Sequence, residues 1–181
     1  MGWRMDPKKV VLVTGASSGF GKETGRLLHS RGFRVFGTSR RPRSDGAEGF
    51  EILPLDVDSD TSVSACVSAV TAKAGAIDVL VNNAGYALTG GIEETSVAEA
   101  KAHLETNFFG VVRMVKAILP SMRRRKSGQI INIGSIAGSI PVPFEGYYAA
   151  AKAAVIAYTE ALRHEVKNFH IRVSVFEPGF L

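Results

Sequence analysis

Val10-Val11-Leu12-Val13-Thr14-Gly15-Ala16-Ser17-Ser18-Gly19-Phe20-Gly21-Lys22 is the stretch that decides the fold. Consecutive branched apolar residues, with no polar alternation, read as a strand buried on both faces. The strand stops at Thr14 and runs through three glycines into a helical pattern over 19–31. Such a turn lets the backbone approach a pyrophosphate, and the helix start adds unpaired N–H groups and partial positive charge. The spacing is Gly-x-x-x-Gly-x-Gly rather than Gly-x-Gly-x-x-Gly, and no Gly-Lys-Ser/Thr follows, so this is not a P-loop. A tight loop with no ligand is the competing reading. The candidate contacts are Thr14, Gly15, Ser17, Ser18, Gly19, Phe20 and Gly21.

Working outward, Lys9–Thr14, Phe33–Thr38, Phe50–Leu55, Val79–Asn82, Gln129–Ile133 and Ile171–Phe176 all read as buried strands. Helical spacing occupies 60–74, 97–125 and 147–168 between them. Strands separated by helices predict an α/β fold, a doubly wound parallel sheet covered on both faces. Ligands of such sheets bind beyond the carboxyl ends of the strands. The second strand ends in Ser39-Arg40-Arg41, and no carboxylate follows before Asp45. An acid at this place would bind an adenosine ribose, whereas an arginine accommodates a 2′-phosphate. Ser39, Arg40 and Arg41 therefore favour NADP(H) over NAD(H), against the alternative of two solvated side chains. Asp56, with Val57 after the third strand, is placed either to meet the adenine edge or to cap a helix.

The 181 residues hold 45% apolar and 22% charged residues, enough for one folded domain and too apolar for a disordered chain. The net charge of +5 is local: residues 1–50 hold ten basic and four acidic side chains, and the remainder is nearly balanced. This argues against a nucleic-acid protein and for an anion bound near the N-terminal third. Arg123-Arg124-Arg125-Lys126 reads as cations complementing a helix C-terminus. Cys66 stands alone, so no disulfide framework or cysteine-rich metal site is available and a reducing compartment is expected. No apolar run approaches a membrane span and no signal-peptide pattern opens the chain. Gly2 follows Met1, but Asp6 stands where a myristoylation signal needs Ser or Thr. A cytoplasmic protein without membrane partners is expected.

Tyr148 and Lys152 lie four apart at the start of an alanine-rich helical pattern, which puts phenol and ammonium on one face. A nearby ammonium favours the phenolate form of a phenol and makes it a usable proton donor near neutral pH. A surface pair is the competing reading. Tyr147 offers no equivalent, because position 151 is Ala151. Ser135, just past the fifth strand, can hydrogen-bond a carbonyl oxygen and hold it toward the phenol. Hydrolase chemistry is disfavoured, since neither a Gly-x-Ser-x-Gly elbow nor a well-placed histidine is evident. His29, His103, His164 and His170 read as surface or packing residues.

Thr14-Gly15-x-x-x-Gly19-x-Gly21, Asn82-Asn83-Ala84-Gly85, Asn107, Ser135, Tyr148-x-x-x-Lys152 and Pro178-Gly179 occur in that order. The set closely resembles the short-chain dehydrogenases/reductases over nearly the whole chain. The resemblance implies a Rossmann-like sheet of strand order 3-2-1-4-5-6, and hydride transfer between a nicotinamide and a carbonyl or secondary alcohol substrate, with no metal. It makes Tyr148 the general acid or base, Lys152 its tuner and a ligand of the nicotinamide ribose, Ser135 the group orienting the carbonyl, and Asn107 the holder of a relay water. Asn83, Ala84, Gly85, Pro178 and Gly179 would contact the cofactor. The segments 36–42 and 160–165 are similar to members acting on hydroxysteroids and retinoids. A homodimer or homotetramer through the two long helices is implied. Family members continue past Pro178-Gly179 with a threonine, a substrate-covering segment and a last strand. Residues 1–181 are thus expected to be a single dinucleotide-binding and catalytic domain, C-terminally truncated relative to the family, with its sixth strand an exposed edge. The alternative is a catalytically impaired nucleotide-binding scaffold of the same fold.

Overall fold

The computed structural model describes residues 9–42 and 49–179; Gly2, Asp6, Asp45 and the last two residues lie outside the described residues. Strands and helices alternate as β1 (Val10–Val13), α1 (Gly19–Ser30), β2 (Arg34–Ser39), β3 (Glu51–Pro54), α2 (Asp60–Ala74) and β4 (Val79–Asn82). They continue as α3 (Val97–Leu104), α4 (Gly110–Arg125), β5 (Gly128–Ile133), α5 (Gly146–Val166) and β6 (Ile171–Phe176). All six strands join one parallel sheet in the order β3-β2-β1-β4-β5-β6, as the sequence resemblance implies. Between the centre strands β1 and β4 the order reverses direction, and the crevice above that point is where such sheets take ligands.

The unbroken apolar run of β1 is explained by its two neighbouring layers. Val10 and Leu12 enter a large core with Val70, Met114 and Ile118, while Val11 and Val13 enter a smaller one with Val35, Phe50 and Val81. Every residue of β1 is therefore buried, and apolar side chains are required at both parities.

The expected helix over 97–125 is interrupted. A wider π-turn over Glu105–Phe109 separates α3 from α4, with the Gly110 N–H reaching back to the Glu105 carbonyl. The Asn107 side chain donates to the His103 carbonyl (3.1 Å), which supplies a local reason for the departure from regular helix. As expected, Arg123–Arg125 close α4, with Lys126 in the left-handed region at its end. Arg125 also binds Asp78 (2.8 Å) and the Ile77 carbonyl (2.7 Å), and Arg123 lies over the Phe169 ring. β6 is an outer strand: Ile171 and Val173 are buried, and Phe176 is exposed. Among the described residues no helix is long and apolar enough to cross a membrane.

A chain of buried polar side chains fixes α5 to the sheet. Asn82 and Asn132 stand opposite each other on β4 and β5, and the Asn82 Nδ2 donates to the Asn132 Oδ1 (2.8 Å). The Asn132 Nδ2 donates in turn to the Thr159 hydroxyl of α5 (2.9 Å), which donates to the Val155 carbonyl. Asn132→Leu would leave the amide of Asn82 without its acceptor and Thr159 without its donor. An unsatisfied buried polar group costs about 1–3 kcal/mol. The expected loss of unfolding free energy is about 2–4 kcal/mol in urea titration, with α5 losing protection from hydrogen exchange.

Candidate active site

The floor of the site is a clamp between two turns. The Thr14 hydroxyl accepts from the backbone N–H groups of Asn83 and Ala84, both at 2.9 Å, and the Asn83 Nδ2 donates to the carbonyls of Thr14 (2.9 Å) and Gly15 (3.1 Å). The glycines fit this clamp. A Cβ on Gly15 would lie 2.9 Å from the Ala84 Cα, and one on Gly21 would lie 2.4 Å from both the Asn83 Nδ2 and the Gly15 carbonyl oxygen. Gly19 has nothing within 4 Å of such a Cβ and adopts φ +53, so it faces open space in a conformation suited to glycine.

Above this floor lies a cleft of ≈ 830 Å³, within the range of small-molecule sites. Its walls include Gly15, Ser17, Ser18, Gly19, Phe20, Ser39, Arg40, Arg41, Asp56, Val57, Asn83, Ala84, Gly85, Asn107, Tyr148, Lys152 and Pro178, all expected from the sequence. Four expected residues lie off the wall. Thr14 and Gly21 are buried in the clamp, Ser135 is buried just past the end of β5, and Gly179 stands apart from the lining. Asp56 lines the cleft while Ser59 caps α2, accepting from Ser62, which removes the helix-cap reading of Asp56. Thr38, Tyr86 and Thr106 also line the cleft and were not anticipated. Only Thr38 has a legible local signal, as a polar residue closing a buried strand; its hydroxyl accepts from Gly15 N–H (3.3 Å).

The cleft walls fit a dinucleotide phosphate by their own chemistry. Ser18 precedes α1 without capping it through its side chain, and no acid occupies the first turn. The first N–H groups of α1 are thus free of a side-chain cap or competing carboxylate at the glycine turn. Arg40 and Arg41 are exposed on the same wall, and Asp56 is the only carboxylate among the lining residues described.

At the other end, α5 carries Tyr148 and Lys152 on one face. The Lys152 Nζ lies 5.7 Å from the centre of the Tyr148 ring and donates to the Ile133 carbonyl at the end of β5 (2.8 Å). The Ser135 Oγ accepts from the Ala137 N–H (3.1 Å), so its own O–H is left to donate elsewhere. Asn107, expected to hold a relay water, has both ends of its amide engaged: Oδ1 accepts from the Tyr86 N–H (3.2 Å) and Nδ2 donates to the His103 carbonyl. Of the four histidines expected at surface or packing positions, His29, His164 and His170 are exposed and His103 is fully buried against Tyr86 and Tyr148.

The sequence model of the short chain dehydrogenases matches residues 9–181. The chain belongs to the short-chain dehydrogenase/reductase family. It is similar to a 3-ketodihydrosphingosine reductase of Bacteroides thetaiotaomicron, 46% identical over 97% of this chain and 64% of that protein. The chain thus spans somewhat under two thirds of the length of that relative. Two solved structures superpose closely on the chain. ElxO with NADP bound has a TM-score of 0.89 at 31% identity, covering 95% of this chain and 73% of that one. An NAD+-bound xylitol dehydrogenase has a TM-score of 0.89 at 30% identity, covering 96% and 70%. Both cofactors therefore occur in solved structures similar to this chain.

Lys152 is only 6% exposed, and burial pushes its ammonium down to about 8. Between about 8 and the ordinary lysine value of 10.5, the native chain holds fewer protons than the unfolded one. Stability from this group therefore rises with pH through that window, and the full cost of burying the charge is present below it. At about 1.4 kcal/mol per pH unit, the gain between pH 7 and 10 is about 2–3 kcal/mol. Wild type should gain that much unfolding free energy relative to Lys152→Met over this range in urea titrations. A flat difference would mean that the ammonium is hydrated in the native state.

Proposed function

We propose that residues 1–181 carry the dinucleotide-binding and catalytic unit of an NADP(H)-dependent oxidoreductase acting on a carbonyl or secondary alcohol. The observation that carries this reading is the cleft itself, which has Arg40 and Arg41 on one wall and Tyr148 with Lys152 at the other end. In this reading the glycine turn and the uncapped start of α1 hold the pyrophosphate, and the two arginines hold the 2′-phosphate. The bound nicotinamide would supply or accept the hydride.

The proton is the chain's own task. Tyr148 gives its phenolic proton to the carbonyl oxygen during reduction and takes it back during oxidation. Lys152, held by the Ile133 carbonyl, keeps a positive charge beside the phenol and favours the phenolate that proton donation leaves. The Ser135 O–H, free because its oxygen is the acceptor for Ala137, donates to the same carbonyl oxygen and opposes charge build-up there. No metal is required for these steps. In this reading Asn107 holds the loop after β4, and its second N–H and second Oδ1 lone pair stay available for the relay water.

The rim next to Tyr148 supports an apolar substrate body. Ile92, Ile140 and Phe144 are 70%, 62% and 66% exposed on the two loops flanking the start of α5. These loops are tied together: Gly90 N–H donates to the Phe144 carbonyl (2.8 Å) and the Tyr147 hydroxyl to the Ile92 carbonyl (3.3 Å). Phe144 adopts φ +65, an unusual conformation for a bulky residue, and it still presents its ring to solvent. A ketone or alcohol with a long apolar portion matches this rim, as the name of the Bacteroides relative also suggests. Assembly as a homodimer or homotetramer through α4 and α5 completes the proposal.

Two measurements test it. Tyr148→Phe should lower turnover of an apolar ketone by at least about a hundredfold, leaving NADPH affinity within about threefold of wild type. Full activity of this variant would refute the assignment. Arg40→Ala should weaken NADPH about tenfold and leave NADH unchanged, because only the former carries the 2′-phosphate. Equal effects on both would reduce Arg40 to a surface charge.

A further inference from the structure

His103 is the buried titratable group that the mechanism above does not use. It closes α3 and has no exposed surface. Its Nε2 lies 2.9 Å from the Tyr86 carbonyl oxygen. A carbonyl can only accept, so Nε2 carries the proton and Nδ1 is an acceptor. That Nδ1 is buried and has no hydrogen-bond partner among the described residues. The ring stands edge-on to two tyrosines, with centres 5.0 Å from Tyr86 and 6.0 Å from Tyr148.

One turn further on, Asn107 completes the arrangement. His103 binds the carbonyl of Tyr86, and Asn107 Oδ1 binds the N–H of the same residue. Both peptide groups of one loop residue are thus held by side chains four apart on one helical face. Asn107 is tied back to the His103 carbonyl, so the two act as one unit. Tyr86 lines the cleft directly after Ala84 and Gly85, Tyr148 lines it as well, and both rings contact His103.

We propose that His103 is a positioning residue for the reaction assigned to Tyr148: it holds the loop after β4 through Nε2–H and its ring packs against the phenol ring. The inference rests on the function proposed above. A packing residue alone would not need the donor at Nε2, and a buried acceptor left unpaired is unfavourable where an apolar ring of similar shape would fit. The groups facing the imidazole are Tyr86 from the loop, Asn107 from the π-turn, and Tyr148 and Lys152 from α5. Burial, and to a lesser degree the Lys152 charge, push the His103 imidazolium below the ordinary histidine value, while the Tyr86 carbonyl acts in the opposite direction. The ring is therefore neutral at pH 7 and keeps its single-donor form.

The test combines kinetics with nitrogen NMR of the imidazole. His103→Phe keeps a ring and loses the donor, whereas His103→Gln keeps a donor near the position of Nε2. With NADPH and an apolar ketone, His103→Phe should lower kcat about tenfold or more, with KM and NADPH affinity within about threefold, and His103→Gln should recover at least a third of wild-type kcat. In wild type, Nε2 should be protonated and Nδ1 not at pH 7, with the ring titrating below the ordinary histidine value. Equal activity of His103→Phe and wild type would overturn the proposal, as would parallel loss of kcat, KM and NADPH affinity in both variants. A ring that titrates near the ordinary histidine value would also overturn it. If wild type turns over no ketone while the NMR result holds, the proposed oxidoreductase function fails and the clamp on Tyr86 stands.

Discussion

One hydroxyl sets the geometry on which the cleft depends. Thr14 ends β1, and its Oγ1 receives the N–H groups of both Asn83 and Ala84 from the turn after β4. Adjacent parallel strands leave their last peptide groups unpaired where the chain departs for a helix, and buried peptide groups must find partners. Thr14 and Asn83 satisfy each other's turns across the point where the sheet order reverses. The two turns consequently approach so closely that Gly15 and Gly21 have no room for a Cβ. Two of the three glycines are thus required by the protein's own packing, and Gly19 is the one that faces open space. The glycine spacing encodes a join between strands as well as an approach for a ligand.

The opposite end of the site is built at a cost in stability. Lys152 is buried against the end of β5 with its charge depressed by desolvation, and the surrounding fold must outweigh that penalty. The chain from Asn82 through Asn132 to Thr159 gives α5 a defined position on the sheet in both register and rotation. Small residues help, since Ala149 and Ala151 are buried and let α5 lie close. A helix held this firmly can present a buried ammonium and a half-exposed phenol in a fixed relation, which proton transfer to a positioned oxygen demands.

Most of this architecture was legible because its signals are local. The buried run of β1, the glycine turn, the missing acid after β2 and the Tyr148–Lys152 spacing are all readable within a few residues, and the structure gathers them at the carboxyl ends of the strands. What escaped depends on pairing between distant segments. His103 has the composition of any helical histidine, and its burial follows from Tyr86 and Tyr148, 17 residues before it and on another helix. The π-turn at Glu105–Phe109 was hidden because apolar spacing continues across it. Asn132 read as one polar residue in a strand, and only its place opposite Asn82 and beneath Thr159 gives it a role. The helix-cap alternative for Asp56 falls away because Ser59, three residues on, caps α2.

The two ends of the proposed site offer a ligand different physics, and this makes them separable. At the glycine turn the available groups are backbone N–H groups, a helix start and two arginines, which act through charge and hydrogen-bond geometry and weaken with salt. At the rim the available groups are Ile92, Ile140 and Phe144, which act through removal of apolar surface from water and are nearly indifferent to salt. The two are joined through the β4 turn: Asn83 and Ala84 are fixed from below by Thr14, and Tyr86, two residues on, is fixed from the side by Asn107 and His103. Changes at the rim can therefore alter what is bound beside Tyr148 without disturbing the anion end, provided this short segment stays in place. Asn83, Ala84 and Tyr86 of this segment are each held by a hydroxyl, an amide or an imidazole, which is the support that the proposed division into a cofactor end and a substrate end requires.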